Sequence, residues 1–183
     1  ATYNMLKLTG QLYQYTPCAK YMHYYETAVT NHINACGDIG GPTGGSTYFM
    51  PTNPGAQKHF DHLENSCCHG TGLENHFKYG EYIYAKTDDA VVVNLFIPNK
   101  LAAENDVIEV CAKAEASTYN VAVKVEKLSK DTLKVRKPLW AESAAVKVNG
   151  EAVTPCECDG YYVFKLTEGT VEFVFGAKGY LSK

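Results

Sequence analysis

The sequence lacks any block or stripe of basic residues: 17 Lys and Arg are interspersed with 20 Asp and Glu, for a net charge of −3. Neither nucleic acid nor an anionic membrane is therefore expected as a partner. No apolar run approaches the length of a membrane span, and the opening residues do not have the charged-then-apolar pattern of a signal peptide. Internal repeats and low-complexity tracts are also missing. An even cysteine count is lacking too, because there are seven cysteines, of which only Cys67-Cys68 and Cys156-Glu157-Cys158 cluster. A disulfide framework usually shows an even count in a smaller, loop-rich chain. Mostly buried free thiols in a reducing compartment are expected instead, which favours the cytoplasm while localisation stays open.

What remains is an ordinary folding composition, 45% hydrophobic and 20% charged over 183 residues, enough for one domain or two small ones. The first residues enter an amphipathic pattern at once, with Met5, Leu8 and Leu12 at helical spacing, as if the chain began inside or beside a helix. Thr16-Pro17 reads as the N-cap and first residue of a second helix. Met22, Tyr25, Val29, Ile33 and Cys36 follow at steps of three and four until Gly37. From Gly37 to Ser66 the periodicity is lost among Gly and Pro, with Tyr48-Phe49-Met50 as one short extended piece. A loop this long in a folded domain often lines a site, and a surface excursion is the alternative.

After Gly80 the sequence turns β-rich. Runs at Tyr82–Ala85, Val91–Ile97, Val107–Val110, Tyr119–Val125, Thr132–Arg136, Ala145–Val148, Tyr161–Leu166 and Val171–Phe175 are separated by turn signals, of which Asn149-Gly150 is the strongest for a hairpin. The expected fold class is α+β, with a helical segment over residues 1–80 and an antiparallel β-sandwich over 81–183. Three helices are too few to close a helical domain around the long loop, so the helical part should need more chain.

Two adjacent cysteines, two histidines and three glycines fall together in Cys67-Cys68-His69-Gly70-Thr71-Gly72-Leu73-Glu74-Asn75-His76-Phe77-Lys78-Tyr79-Gly80. Thr71-x-x-Glu74 has the form of a capping box, with Gly80 as the stop. Cys67 and Cys68 would then precede a helix N-terminus, where exposed amides and the helix dipole favour a thiolate, the nucleophilic and metal-binding form of cysteine.

This string, together with Thr2-Tyr3-Asn4-Met5-Leu6-Lys7-Leu8-Thr9, Tyr24-Tyr25-Glu26 and Asn31-His32-Ile33, resembles the signature of the β-L-arabinofuranosidase glycoside hydrolases, family 127 and its relative family 146. Val93–Pro98, Leu133–Arg136, Trp140, Val146–Gly150 and Gly160-Tyr161 resemble the β region of the same proteins. The resemblance implies the last helices of an (α/α)6 toroid followed by the sandwich. It also implies a retaining hydrolase in which a zinc-bound cysteine attacks the anomeric carbon: Cys67 matches the nucleophile, and Cys67 and Cys68 match zinc ligands. The family's remaining Glu and Cys ligands and its acid/base Glu would all precede Ala1, and Glu64-Asn65-Ser66 stand where aromatic residues often come before the cysteines. The chain then reads as a C-terminal portion, with zinc as cofactor, an incomplete site, and an arabinose-containing glycan as partner of the whole enzyme. A homo-oligomer stays open.

Other roles compete at each position. Taken alone, an adjacent cysteine pair is more often buried than metal-binding. His69, His76 and Tyr48 are candidates for the sugar pocket, against hydrogen-bonded helix histidines and packing. Glu74 reads as a helix cap, not an acid. His59, Asp61, His62 and Glu64 are candidate substitute metal ligands or solvated loop residues. Cys156-x-Cys158 lacks zinc-knuckle spacing and reads as structural, and Trp140 stacks on sugar or packs in the sheet. The alternative function is a non-catalytic carbohydrate-binding or scaffold fragment with a structural cysteine pair.

Overall fold

The computed structural model describes residues 1–38, 41, 44–49, 51–61 and 66–177. Expectations that fell on Ile39, Gly40, Pro42, Thr43, Met50, His62, Glu64 and Asn65 lie outside them.

Helix α1 (Thr2–Tyr15) buries Leu6, Thr9, Gly10 and Tyr13, a stripe at the i, i+3, i+4, i+7 spacing of one helix face. The expected stripe is a correction: Met5, Leu8 and Leu12 are 44, 46 and 42% exposed. Two stripes share the helical period, and Thr9 is buried at little cost because its hydroxyl donates to the Met5 carbonyl at 2.7 Å. Helix α2 (Ala19–Ala28) passes into a π turn (Val29–Ile33) and a last turn, α3 (Asn34–Cys36). Here the expected face is the buried one, with Met22, Tyr25, Val29 and Ile33 at most 4% exposed. The steps of four from Tyr25 through Val29 to Ile33 are those that a turn wider than 3.6 residues keeps on one side. The start of α2 differs from expectation, because Thr16 is the C-cap of α1 and its amide donates to Leu12 O at 2.9 Å. Thr16 therefore cannot cap the next helix, and Pro17-Cys18 only link the two.

The chain forms two compact units, Ala1–Thr16 with Tyr24–Glu81, and Pro17–His23 with Tyr82–Lys183. In the first unit, Thr2 Oγ1 lies 2.7 Å from His32 Nδ1. The Tyr25 hydroxyl donates to Lys78 O at 3.1 Å, and the buried Lys78 ammonium donates to both Glu81 oxygens at 2.7 and 2.8 Å. Among the described residues of the long loop, isolated bridges join Gly37 with Ser46 and Ser46 with Asp61.

In the second unit, β1 (Tyr84–Lys86), β2 (Val91–Val93), β6 (Thr132–Arg136), β10 (Tyr161–Lys165) and β9 (Cys156–Cys158) form one sheet in that order. The other sheet runs β3 (Asn99–Ala102), β4 (Val107–Ala114), β5 (Thr118–Lys127), β11 (Gly169–Ala177), β7 (Ala141–Val148), β8 (Glu151–Val153). Alternate residues of both sheets meet in one core that includes Val91, Val93, Leu133, Val135 and Phe164 from one side and Ile108, Val123, Val171, Phe173 and Phe175 from the other. The sandwich is thus as expected, except that β2 pairs with β6 in parallel. Asn149-Gly150 and Asp159-Gly160, all at positive φ, turn the β7–β8 and β9–β10 hairpins. Cys156 and Cys158 lie exposed on the edge strand β9, and none of the seven cysteines is buried or disulfide-bonded. Mostly buried thiols is therefore a corrected expectation. Among the described residues no helix is long and apolar enough to cross a membrane.

Opposite the core, the outer face of β6 carries Arg136, fully buried. Its Nε donates to Asn94 O at 2.6 Å and its Nη1 lies 2.7 Å from His23 Nδ1, while the Tyr161 hydroxyl donates to Asn94 Oδ1 at 3.1 Å. A guanidinium only donates, so His23 Nδ1 must accept and stay unprotonated. Burial first, and then the Arg136 charge, lower the His23 pKa from 6.5 to about 4. The unfolded chain therefore takes up a proton between these values that the folded chain refuses. This stability is fully present above pH 6.5 and is lost as pH falls toward 4. The full shift corresponds to ~3 kcal/mol, and ~1–2 kcal/mol is expected for a half-buried ring. Urea midpoints followed by the fluorescence of Trp140 should fall between pH 7 and 4.5, and His23→Gln should remove most of that slope. A His23 ring that titrates near 6.5 by NMR would contradict this.

Candidate active site

Helix α4 (Cys67–Asn75) begins five residues earlier than the capping-box reading, with Thr71 as N-cap, placed it. Ser66 is the N-cap in extended conformation, and Gly70 N donates to Ser66 O at 3.0 Å, which closes the first turn. Thr71 sits inside the helix with its hydroxyl donating back to Cys67 O at 3.1 Å, and Glu74 is exposed near the far end, so neither caps it. The consequence is chemical. Cys67 and Cys68 are the first two helical residues, not residues ahead of the helix, and both thiols are exposed.

The two sulfurs are 3.9 Å apart. Two thiolates on one tetrahedral zinc, each at ~2.3 Å, stand ~3.8 Å apart, so the pair fits as two soft donors to one ion. Among the described residues no group of three or more His, Cys, Asp and Glu is placed to hold a metal.

Around the sulfurs the structure gathers residues from distant parts of the chain. The Tyr48 hydroxyl lies near the thiols, and its pKa is raised, first by the charge of Cys67, then by hydrogen bonding toward Cys67 and by the charge of Cys68. Its ring lies 5.9 Å from that of His69 and 4.5 Å from that of Phe49. His69 is buried, with Nδ1 2.6 Å from Ser66 Oγ and Nε2 3.5 Å from Asp61 Oδ2. The Cys36 thiol is pushed up by burial, opposed by Lys58 and reinforced by the charge of Cys68, whose field it shares. His76 packs edge-on against Tyr79 at 5.5 Å, and His59 is exposed. Trp140, in the other unit, meets Tyr119 and Phe175 edge-on, each at 5.7 Å, which accounts for it as sheet packing.

Of the sequence candidates, Cys67, Cys68, Tyr48 and His69 come together. Missed were the proximity of Tyr48 to the thiols and the Ser66–His69–Asp61 chain. Ser66-x-x-His69 spans the same interval as a capping box, with His where Glu is usual, and that spacing was the available signal.

The fold is that of solved glycoside hydrolases. A β-L-arabinofuranosidase of family GH127 from Geobacillus stearothermophilus T6 superposes with TM-score 0.66 at 20% identity over 94% of this chain and 30% of its own. A GH127 β-arabinofuranosidase gives 0.70 at 21% over 96% of this chain and 31% of its own, and a third structure, titled a glycoside hydrolase, gives 0.74 at 18% over 95% and 32%. The catalytic-domain model of GH127 β-L-arabinofuranosidases matches residues 1–81 and the middle-domain model matches residues 90–169, so the chain belongs to family GH127. It spans about a third of the length of the solved structures it matches. No curated protein sequence matches it.

Proposed function

We propose that residues 1–80 are the nucleophile-bearing part of the catalytic domain of a retaining β-L-arabinofuranosidase, followed by its β-sandwich domain over 81–183. The observation that carries this reading is the pair of exposed sulfurs, 3.9 Å apart in the first turn of α4, with the Tyr48 hydroxyl against them. The substrate class is a plant-type glycan ending in β-L-arabinofuranosyl or a related residue, an assignment supported at the level of the family.

Cys67 and Cys68 would hold zinc, which when bound keeps a thiol deprotonated near neutral pH. In the first step Cys67 Sγ attacks the anomeric carbon as its bond to the leaving oxygen breaks, and that oxygen takes a proton from an acid supplied elsewhere in the enzyme. A glycosyl thioether results. Water then attacks the same carbon from the face opposite the sulfur, giving its proton to the conjugate base of that acid, and the sulfur leaves as thiolate. Two inversions give net retention. The Tyr48 hydroxyl can donate to Sγ as negative charge returns to it.

Zinc analysis of the full-length protein tests the metal half of the proposal. About one zinc per chain is expected, with a loss of at least ~10-fold in affinity in Cys67→Ala and in Cys68→Ala, because each removes one of four donors. Unchanged zinc in both variants would remove the pair from the metal site.

A further inference from the structure

Ser66 occupies the N-cap of α4, yet its side chain makes no cap hydrogen bond, because its Oγ is engaged with His69 Nδ1 at 2.6 Å. The other ring nitrogen, Nε2, is fully buried without a hydrogen bond, and the group it faces is the Asp61 carboxylate at 3.5 Å. A carboxylate can only accept, which favours the tautomer with the proton on Nε2. Nδ1 then accepts from the Ser66 hydroxyl, which explains why that hydroxyl does not serve the helix. Asp61 is itself fixed: its backbone exchanges two hydrogen bonds with Ser46, at 2.8 and 3.1 Å. The Ser46 side chain in turn lies where a Cβ on Gly72 would meet it at 3.4 Å. Tyr48, two residues on, rests its ring near the imidazole and its hydroxyl at the thiols. One buried imidazole thus ties the residue immediately before Cys67, the loop that carries Tyr48, and the helix itself into one block.

We infer that His69 is the positioning residue for the Cys67 nucleophile, acting through Ser66 and Asp61 and not through the sugar. This rests on the reading of Cys67 as nucleophile and gives His69 a different role from the substrate pocket expected from the sequence. A side chain aimed at sugar would leave Nδ1 or Nε2 accessible, whereas His69 is 9% exposed and both nitrogens face protein.

Two readouts test it. In the metal-free chain, iodoacetamide labelling mapped by mass spectrometry gives the ratio of Cys67 to Cys68 alkylation. His69→Ala should change that ratio by at least ~3-fold, Ser66→Ala should reproduce the change, and His69→Asn, which keeps an acceptor near Nδ1, should largely restore it. In the full-length enzyme, His69→Ala should lower kcat ~10–100-fold with KM within ~2-fold, the result of a misplaced attacking atom. An unchanged alkylation ratio with unchanged kcat overturns the inference, as does a raised KM with kcat intact, the mark of a substrate contact. An enzyme that stays active with Cys67→Ala overturns the nucleophile reading and this inference with it. One that needs Cys67 but is indifferent to His69→Ala overturns this inference alone.

Discussion

Cys67→Ala in the full-length protein is expected to lower kcat/KM on a β-L-arabinofuranoside by ~10³-fold or more, equivalent to ~4 kcal/mol of transition-state stabilisation. Removal of a covalent nucleophile leaves only binding and electrostatic contributions, and Ala offers no atom to replace the sulfur. Cys67→Ser should be nearly as damaging, because an alcohol is a far weaker nucleophile than a thiolate at neutral pH. Both variants should keep the far-UV spectrum of the native protein, because residue 67 is exposed and supplies no core packing. Full activity in Cys67→Ala would remove Cys67 as the nucleophile, whereas sugar binding by residues 81–183 alone, with no metal in the full-length protein, would favour the non-catalytic alternative.

The second large effect concerns stability. Arg136→Ala should destabilise the β unit by ~3–5 kcal/mol, because it removes a fully buried cation and leaves its hydrogen-bond partners Asn94 O and His23 Nδ1 without their donor. It also opens a cavity beside Phe96, whose ring faces the guanidinium at 5.6 Å. Arg136→Lys keeps the charge but cannot span both acceptors with a planar fork, so ~1–3 kcal/mol is expected. Trp140 is the single tryptophan and packs on Tyr119 and Phe175, so its fluorescence in urea reports on this unit. A loss below ~1 kcal/mol in Arg136→Ala would mean the cluster is replaced by water without penalty.

These two residues mark what was legible in the sequence and what was not. The face of α2 was plain, because Met22, Tyr25, Val29 and Ile33 repeat over about three turns. The face of α1 was not, because two stripes satisfy the same period and only packing selects between them. The long strands β4, β5, β6, β10 and β11 were readable from alternation. Strands β3, β8 and β9 are short, and β8 and β9 are exposed throughout, so they carry no hydrophobic pattern to read. Alternation in Leu133-Lys134-Val135-Arg136 correctly sends Leu133 and Val135 inward. It also assigns Arg136 to the solvent side, which is false because His23 and Tyr161 cover that face. The parallel pairing of β2 with β6 is likewise a matter of tertiary arrangement.

At the candidate site the cysteine pair was legible because all its chemistry lies in one short string. Its surroundings were not, because Asp61 and Tyr48 reach it from a loop without periodicity. The start of α4 was misplaced for a local reason: Thr71-x-x-Glu74 is the better capping pattern, but Ser66 followed by His69 is the one that forms, and the difference moves Cys67 and Cys68 from before the helix into its first turn.

The role of Cys67 is tested most directly by rapid acid quench of the full-length enzyme with a β-L-arabinofuranoside bearing a good leaving group, followed by peptide mapping. An added anhydropentosyl mass on the Cys67 peptide, absent in Cys67→Ala, is the expected result. An adduct on a carboxylate, or turnover with inversion at the anomeric carbon and no adduct, would contradict it.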